Sequence, residues 1–399
     1  MEDTEIKEKF EEIYKSKIEP SIRRLEPYRL EQKKKYDLFF RINIALFAIA
    51  IISFIIAIKV PIQVNTWGLS QKLVVFFVVC VITSFFTITK QHKISKDFRK
   101  TIKPALLKPI LSIFGNFRLA ENELLSLKEI KSMGLYHNAG TKKDDDNIIG
   151  TYKDIPLTLI ETELTHSSGG KNSSTVTDFG GLILKIKMNK RFEGITVGNQ
   201  KVNIENYIKL LKDISKKNPE LYPPEKLKWL DSPIFKTISQ TQKFMSENKL
   251  FLKNGKLYVD IFDRLTKNKV TRKLEKINVE DPEFNSNYDI YSDNQVESRY
   301  LLSPSFIEKI KNIQSVFLVT SVNFVFKEEF LYLFLDGSSM ASELIAEPKK
   351  GHQQANGFFE VGDIGNTLID KKIYLKLFRE LVSIFSLINY FKINEKTGL

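Results

Sequence analysis

The sequence predicts an α+β protein: a transmembrane helical hairpin joined to a cytoplasmic domain of antiparallel sheet with flanking helices. Two charge-free apolar runs, 42–58 and 73–89, stand a short loop apart. From Asn147 onward, alternating or apolar segments of strand length are separated by turn residues. No rhythm of strands alternating with crossover helices appears, so a parallel βαβ architecture is not indicated.

The first run, Ile42 to Ile58, has Asn43 and Ser53 as its only polar members. At a rise of about 1.5 Å per residue it spans roughly 25 Å, close to the thickness of a bilayer core. Leu38, Phe39 and Phe40 extend it, and Arg41 can snorkel to the interface. The second run, Leu73 to Thr89, is again free of charge, and its hydroxyls can bond back to their own helix. Neither run carries a GxxxG helix-packing motif. The competing reading is a pair of buried core helices; the basic residues that close both runs argue against it. A secretory signal peptide is ruled out by the long charged segment before the first run. Lys33, Lys34, Lys35 and Arg41 precede the hairpin, and seven basic residues between 90 and 108 follow it. The loop between has lysines only at its edges, plus Trp67. The positive-inside bias then places both termini in the cytoplasm. The single cysteine, Cys80, lies inside the second run, so no intrachain disulfide forms.

A formal charge of +13 suggests nucleic-acid binding until it is divided along the chain. Residues 1–41 carry +1, the loop 59–72 carries +2 and residues 90–108 carry +6, leaving +4 for all the rest. The excess sits beside the hairpin, where anionic headgroups attract it. Nucleic acid is therefore an unlikely partner, and the lipid bilayer is the expected one.

Residues 1–41 form a cytoplasmic juxtamembrane helix: Phe10, Ile13, Tyr14, Ile18, Ile22 and Leu25 recur at helical spacing, with interruptions at Pro20 and Pro27. Its polar face mixes glutamate with lysine, which favours packing on the soluble domain over lying on lipid. After the hairpin (42–89), residues 90–134 make a basic helical connector: a helix over 96–117 kinked at Pro104 and Pro109, then a helix over 121–133 stopped by Gly134. Residues 135–399 form the α+β domain, divisible into subdomains 135–204 and 250–399 with a helical insert between them. Strands are expected over 148–152, 155–163 and 182–188, the last two joined through a Ser/Gly-rich hairpin loop. Short strands follow at 194–197 and 201–204, then helices over 205–216 and 225–250. Asn254-Gly255 marks a tight hairpin between 250–253 and 256–262. Ser303 caps a helix over 303–313 with Pro304 in its first turn. Strands 316–326 and 330–335 and a helix over 370–391 complete the chain; the apolar stretch 381–391 is too short to span a bilayer.

No catalytic, cofactor-binding or metal-ligating residue emerges from this reading. His92, His137, His166 and His352 have no partners at metal-ligand spacing. Asp144, Asp145 and Asp146 lack the alternating ligands and terminal glutamate of a calcium loop, and read as a solvated turn before the first strand. Gly169-Gly170-Lys171 lacks phosphate-loop spacing and reads as a hairpin tip. Ser338 and Ser339 lack the glycines of a nucleophile elbow. Glu161 and Glu163 share a strand face, as paired-carboxylate chemistry requires, but charged strand faces turned to solvent are commoner.

Several phrases carry a resemblance: Gly150-Thr151-Tyr152, Phe179-Gly180-Gly181-Leu182, Asn189 to Gly194, Val279 to Phe284, Tyr288 to Asp293 and Val296 to Phe306. Together with the hairpin, these resemble an uncharacterised bacterial family of two-transmembrane-helix proteins known only as a domain of unknown function, often encoded near LemA-family genes. The resemblance implies a bacterial inner-membrane setting and no particular reaction. The Lys-rich segment around 205–275 departs from it. Read physically, Gly150, Gly181 and Gly194 mark places where a side chain crowds the backbone. Asp281-Pro282 starts a turn or helix, and Glu297 and Arg299 are candidates for a buried pair or an interface contact.

The expected function is a membrane-anchored binding or scaffolding module that recruits a protein partner, with homo-oligomerisation left open. The alternative is a membrane effector whose cytoplasmic sensor domain controls hairpin oligomerisation and bilayer perturbation.

Overall fold

The two apolar runs set the two longest helices. In the computed structural model, α1 spans Glu19–Lys59 and α2 spans Leu69–Leu111. The structure describes residues 10–59, 68–169, 175–201, 252–263, 268–317, 319–337 and 367–390, with isolated positions at 8, 208–209, 212–213, 215–216, 224–225, 250, 359 and 364–365. Of the helix expected over 205–216, positions 208–209, 212–213 and 215–216 are described and helical, whereas the helix expected over 225–250 falls almost wholly outside the described residues. The chain divides into two units: residues 1–110 with 361–375, and residues 111–360 with 376–399.

In the first unit the prolines interrupt less than expected. A π-helical turn, Tyr14–Ile18, lies just before Pro20, and Pro27, Pro104 and Pro109 lie inside continuous helices. The two helices run antiparallel: the Phe54 and Phe77 rings are 5.1 Å apart, and Gln91 donates to the Tyr36 carbonyl at 3.3 Å. Their seam is made of small or polar side chains at three-and-four spacing, Ala50, Ser53 and Ala57 against Cys80, Ser84, Thr87 and Gln91, all buried. Small residues let two backbones approach closely where lipid offers no hydrophobic drive for association. Ser53 and Thr87 bond back to Ala50 and Ser84 carbonyls at 2.8 Å, so these hydroxyls need no water. The bulky side chains point outward instead: Ile44, Phe47, Ile51, Ile55, Val79, Ile82 and Phe86 are exposed. Only 17% of the apolar window of each helix is buried, the reverse of a soluble core helix. Both helices are long and apolar enough to cross a membrane.

Within the same unit, residues 364–375 are tied to the start of α1. The buried Arg29 guanidinium donates to the Ile364 carbonyl at 3.0 Å and pairs with Glu26 at 2.7 Å. Glu26 in turn accepts from the Thr367 hydroxyl and the Leu368 amide, both at 3.1 Å. Burial favours the protonated carboxyl, but the hydrogen bonds from Arg29 and Leu368 outweigh it and hold the Glu26 pKa below its ordinary value.

The second unit carries an antiparallel sheet of eleven strands: β1 (Asn116–Leu119), β2 (Thr141–Tyr152), β3 (Ile155–Ser167), β4 (Thr175–Lys187), β5 (Ile195–Gln200), β6 (Leu252–Lys253), β7 (Lys256–Asp263), β8 (Asn268–Ile277), β9 (Tyr288–Ser292), β10 (Ser321–Lys327) and β11 (Phe330–Asp336). Their order is β1-β2-β3-β4-β11-β10-β5-β9-β8-β7-β6, so the late hairpin β10–β11 is inserted between β4 and β5. Helices bounded within the described residues of this unit are α3 (Leu127–Ser132), α4 (Pro282–Asn287), α5 (Gln295–Leu301), α6 (Pro304–Phe317) and α7 (Lys371–Tyr390), whose first turn belongs to the other unit.

Local chemistry sets these boundaries. A capping box between Ser126 and Glu129 opens α3, and Gly134 follows its end at φ 82° as the expected cap. Asn254 and Gly255, both at positive φ, turn the β6–β7 hairpin as expected. Other expectations need correction. Residues 116 and 117, read as the end of a helix, belong to β1 and pair with β2, and α3 is much shorter than 121–133. The strand expected from 316 starts only at Ser321, because Phe306, Ile310, Ile313 and Phe317 keep the helical period and stay buried to the end of α6.

One sheet face packs Ile160, Ile183, Val197, Val325 and Phe334 with Tyr136, α3 and the β7–β8 ribbon. On the opposite face Phe306 of α6 meets Phe324 and Phe326, with ring centroids at 5.4 and 5.2 Å. Phe385 of α7 meets Phe114, Phe117 and Tyr152 near the β1 edge, at 4.5 to 5.1 Å.

Candidate functional site

Two of the recognised sequence blocks meet in the second unit. The Glu297 carboxylate accepts hydrogen bonds from the amides of Gly194 at 2.9 Å and Glu193 at 3.2 Å, with Lys190 at 3.8 Å. Asp293 accepts from the Ile195 amide at 2.7 Å and pairs with Arg272 at 2.8 Å. These contacts fix the loop 189–194 against α5. Glu297 therefore does not pair with Arg299: two positions apart on a helix, they face different ways.

Arg299 instead lines a cleft of about 770 Å³ built from residues 278–281, the end of α5 and the start of α6. That volume is in the range of small-ligand pockets, though the depression is half open to solvent. Leu302 and Ile307 give it an apolar floor, and Tyr300 stands at its edge with 63% of its surface exposed. Val296, one turn earlier on α5, is 83% exposed. On the far wall Lys311 bridges Asp281 and Glu283, each at 2.7 Å. The hydrogen bond from Lys311, with that from the Phe284 amide, pulls the Asp281 pKa down; Asp281 in turn raises that of Lys311. Asp281 caps α4 through the Phe284 amide at 2.9 Å, the turn-starting role expected for Asp281-Pro282. Among the described residues no ion pair engages Arg299, Glu280 or Glu308, so the cleft presents charges of both signs to a ligand.

A second constellation lies on β2 and β3. Asp144 to Asp146 are not a turn: they sit inside β2, at a bulge where two residues oppose Glu161 of β3. The bulge brings Asp145, Asp146 and Glu161 together, with one carboxylate oxygen of each within 4.8 Å of the others, and Asp146 and Glu161 are buried. Oxygen donors so arranged suit a hard divalent cation with water completing its shell. Glu163, expected to share this chemistry with Glu161, is exposed and accepts from the Thr177 hydroxyl at 3.2 Å. Sequence reasoning missed the trio because the bulge, not the spacing, creates it.

Of the remaining candidates, His166 pairs with Asp178 at 2.8 Å near the end of the β3–β4 hairpin. His92 and His137 are exposed, and Cys80 is buried in the helix seam. His352, Ser338, Ser339 and Lys171 lie outside the described residues. Arg299 and Tyr300 were legible only as part of the 279–306 block.

A family model described as a protein of unknown function (DUF3137) matches residues 177–393, more than half of the chain. The chain belongs to the DUF3137 family. No curated protein and no solved structure matches it. The DUF3137 segment runs from β4 to α7, so it contains the cleft, the Glu297 lock and residues 364–375 clamped by Arg29. It leaves out both apolar helices and all three residues of the carboxylate trio.

Proposed function

We propose that this DUF3137 protein is a multi-pass protein of a bacterial inner membrane, held by α1 and α2, whose sheet-bearing unit docks a protein partner on the cytoplasmic side. The observation that carries the reading is the inversion of the two long helices: small residues pack between them while isoleucine, valine and phenylalanine face outward. Outward apolar faces of this length are stable in lipid and costly in water. The basic residues on both flanks support a cytoplasmic location for both termini. The cleft beside Arg299 and Tyr300 supports docking, since exposed aromatic and arginine side chains around a depression are the usual anchors of protein interfaces. The small residues are spent within the hairpin, which favours an anchor over a hairpin that oligomerises through such residues.

Extraction of native membranes with alkaline carbonate tests the anchor: the chain should stay in the pellet, and its release into the supernatant overturns the reading. A photo-crosslinking side chain in place of Tyr300 tests the docking. A reproducible protein adduct, lost in the Arg299→Glu background, is the expected outcome, and no adduct under any growth condition overturns it.

A further inference from the structure

Both long helices leave their apolar runs without a break, so the helical rise fixes the height of each charge beyond the apolar boundary. On α2, Lys90 adjoins the run, while Lys93 and Lys96 lie about 6 and 10 Å past it. Lys100 and Lys108 lie about 16 and 28 Å past it on the same count. On α1, Arg41 adjoins the run and Lys34 lies about 12 Å beyond.

Lys34, Arg41, Lys90, Lys93 and Lys96 are exposed, and among the described residues none of them holds an ion pair. Other cations of α1 do: Arg23 pairs with Glu19 and Arg29 with Glu26, and Lys35, inside the same stretch, pairs with Glu31. Asp37 is the one acidic residue within 34–41 and 90–96. These five thus form a band about two turns deep at one end of the apolar faces; Lys59 and Lys72 at the other end, and Lys100 and Lys108 farther along α2, are likewise exposed without an ion pair among the described residues.

We propose that this band, formed by Lys34, Arg41, Lys90, Lys93 and Lys96, is a binding surface for anionic phospholipid headgroups. It rests on the membrane-anchored reading above and adds a lipid class and a boundary. A charged surface acts over about 10 Å at 0.1 M salt, and a lysine stem adds a few ångströms of reach. The five proximal cations fall inside that layer, and Lys108 falls outside it. The basic segment 90–108 is therefore divided: its first two turns serve the lipid, and its distal end does not.

The test reconstitutes the full chain in phosphatidylcholine bilayers containing spin-labelled phosphatidylglycerol or spin-labelled phosphatidylcholine. The expected result is a motionally restricted lipid population in which phosphatidylglycerol is favoured roughly threefold at 0.1 M salt, falling to near parity at 1 M. Lys34→Gln, Arg41→Gln, Lys90→Gln, Lys93→Gln and Lys96→Gln together should roughly halve the preference, and Lys108→Gln should keep it. Equal restriction of the two lipids, or a preference undiminished by the fivefold substitution, overturns the lipid assignment. Absence of any restricted lipid overturns the membrane reading itself, so the two failures are distinguishable.

Discussion

The Glu297 carboxylate closes on the Gly194 backbone amide at 2.9 Å, locking a helix of the 279–306 block to the loop that enters β5. The same carboxylate takes the Glu193 amide, and its side chain is only 8% exposed. Glu297→Ala strands two amides whose acceptor was charged, at a cost of about 2 kcal/mol. The thermal midpoint of the detergent-solubilised chain should fall by roughly 4–8 °C. An unchanged midpoint would show that the loop holds without the lock.

Gly181 sits in β4 opposite Asp336, where a Cβ would come within 2.0 Å of the Leu335 carbonyl oxygen. Backbone cannot swing aside as a side chain does, so Gly181→Ala must part β4 from β11 in the middle of the sheet. A loss of about 2–3 kcal/mol is expected by urea denaturation, the size of an overpacked core. A midpoint equal to that of the parent chain would sink this account.

The Glu26 carboxyl has a lowered folded-state pKa, so its contribution to stability is fully present above the ordinary carboxylate range near 4.3. That contribution disappears as pH falls through the folded value. Hydrogen exchange at the Leu368 amide should therefore accelerate below about pH 4, relative to the intrinsic rate. Glu26→Gln should remove most of this pH dependence. An amide whose protection is flat from pH 6 to pH 3 would contradict the clamp.

Ala50 is level with Cys80 if the helices are counted from the Phe54–Phe77 contact, and both are buried in the seam. In mild detergent Cys80 should react slowly with a maleimide. Ala50→Leu forces the helices apart and should speed the reaction about tenfold, equivalent to about 1.4 kcal/mol of easier opening. Equal rates in the two proteins would place Cys80 outside the seam.

Particular residues show how far the sequence could be read. Asn254-Gly255, Ser303-Pro304 and Gly134 act where they were expected, because turn and cap chemistry depends on a few neighbouring residues. Asp144 to Asp146 could not be placed by pattern: three consecutive acids read as solvent-facing, and only pairing with β3 reveals a bulge that buries Asp146 against Glu161. The seam of Ala50, Ser53, Ala57, Cys80 and Ser84 was present in the sequence as well. It contains no glycine pair, yet alanine, serine and cysteine also permit close packing.

The sequence by itself determined the long apolar helices, the basic flanks, the α+β class and the family, because each rests on composition or on spacing within about twenty residues. Tertiary structure alone decided which side of each apolar helix faces its partner, that β4 lies beside β11 and β5 beside β10, and that Glu297 serves Gly194 while Arg299 is left to line a cleft. Those outcomes depend on contacts between residues from some twenty to more than a hundred positions apart, and no local periodicity encodes them.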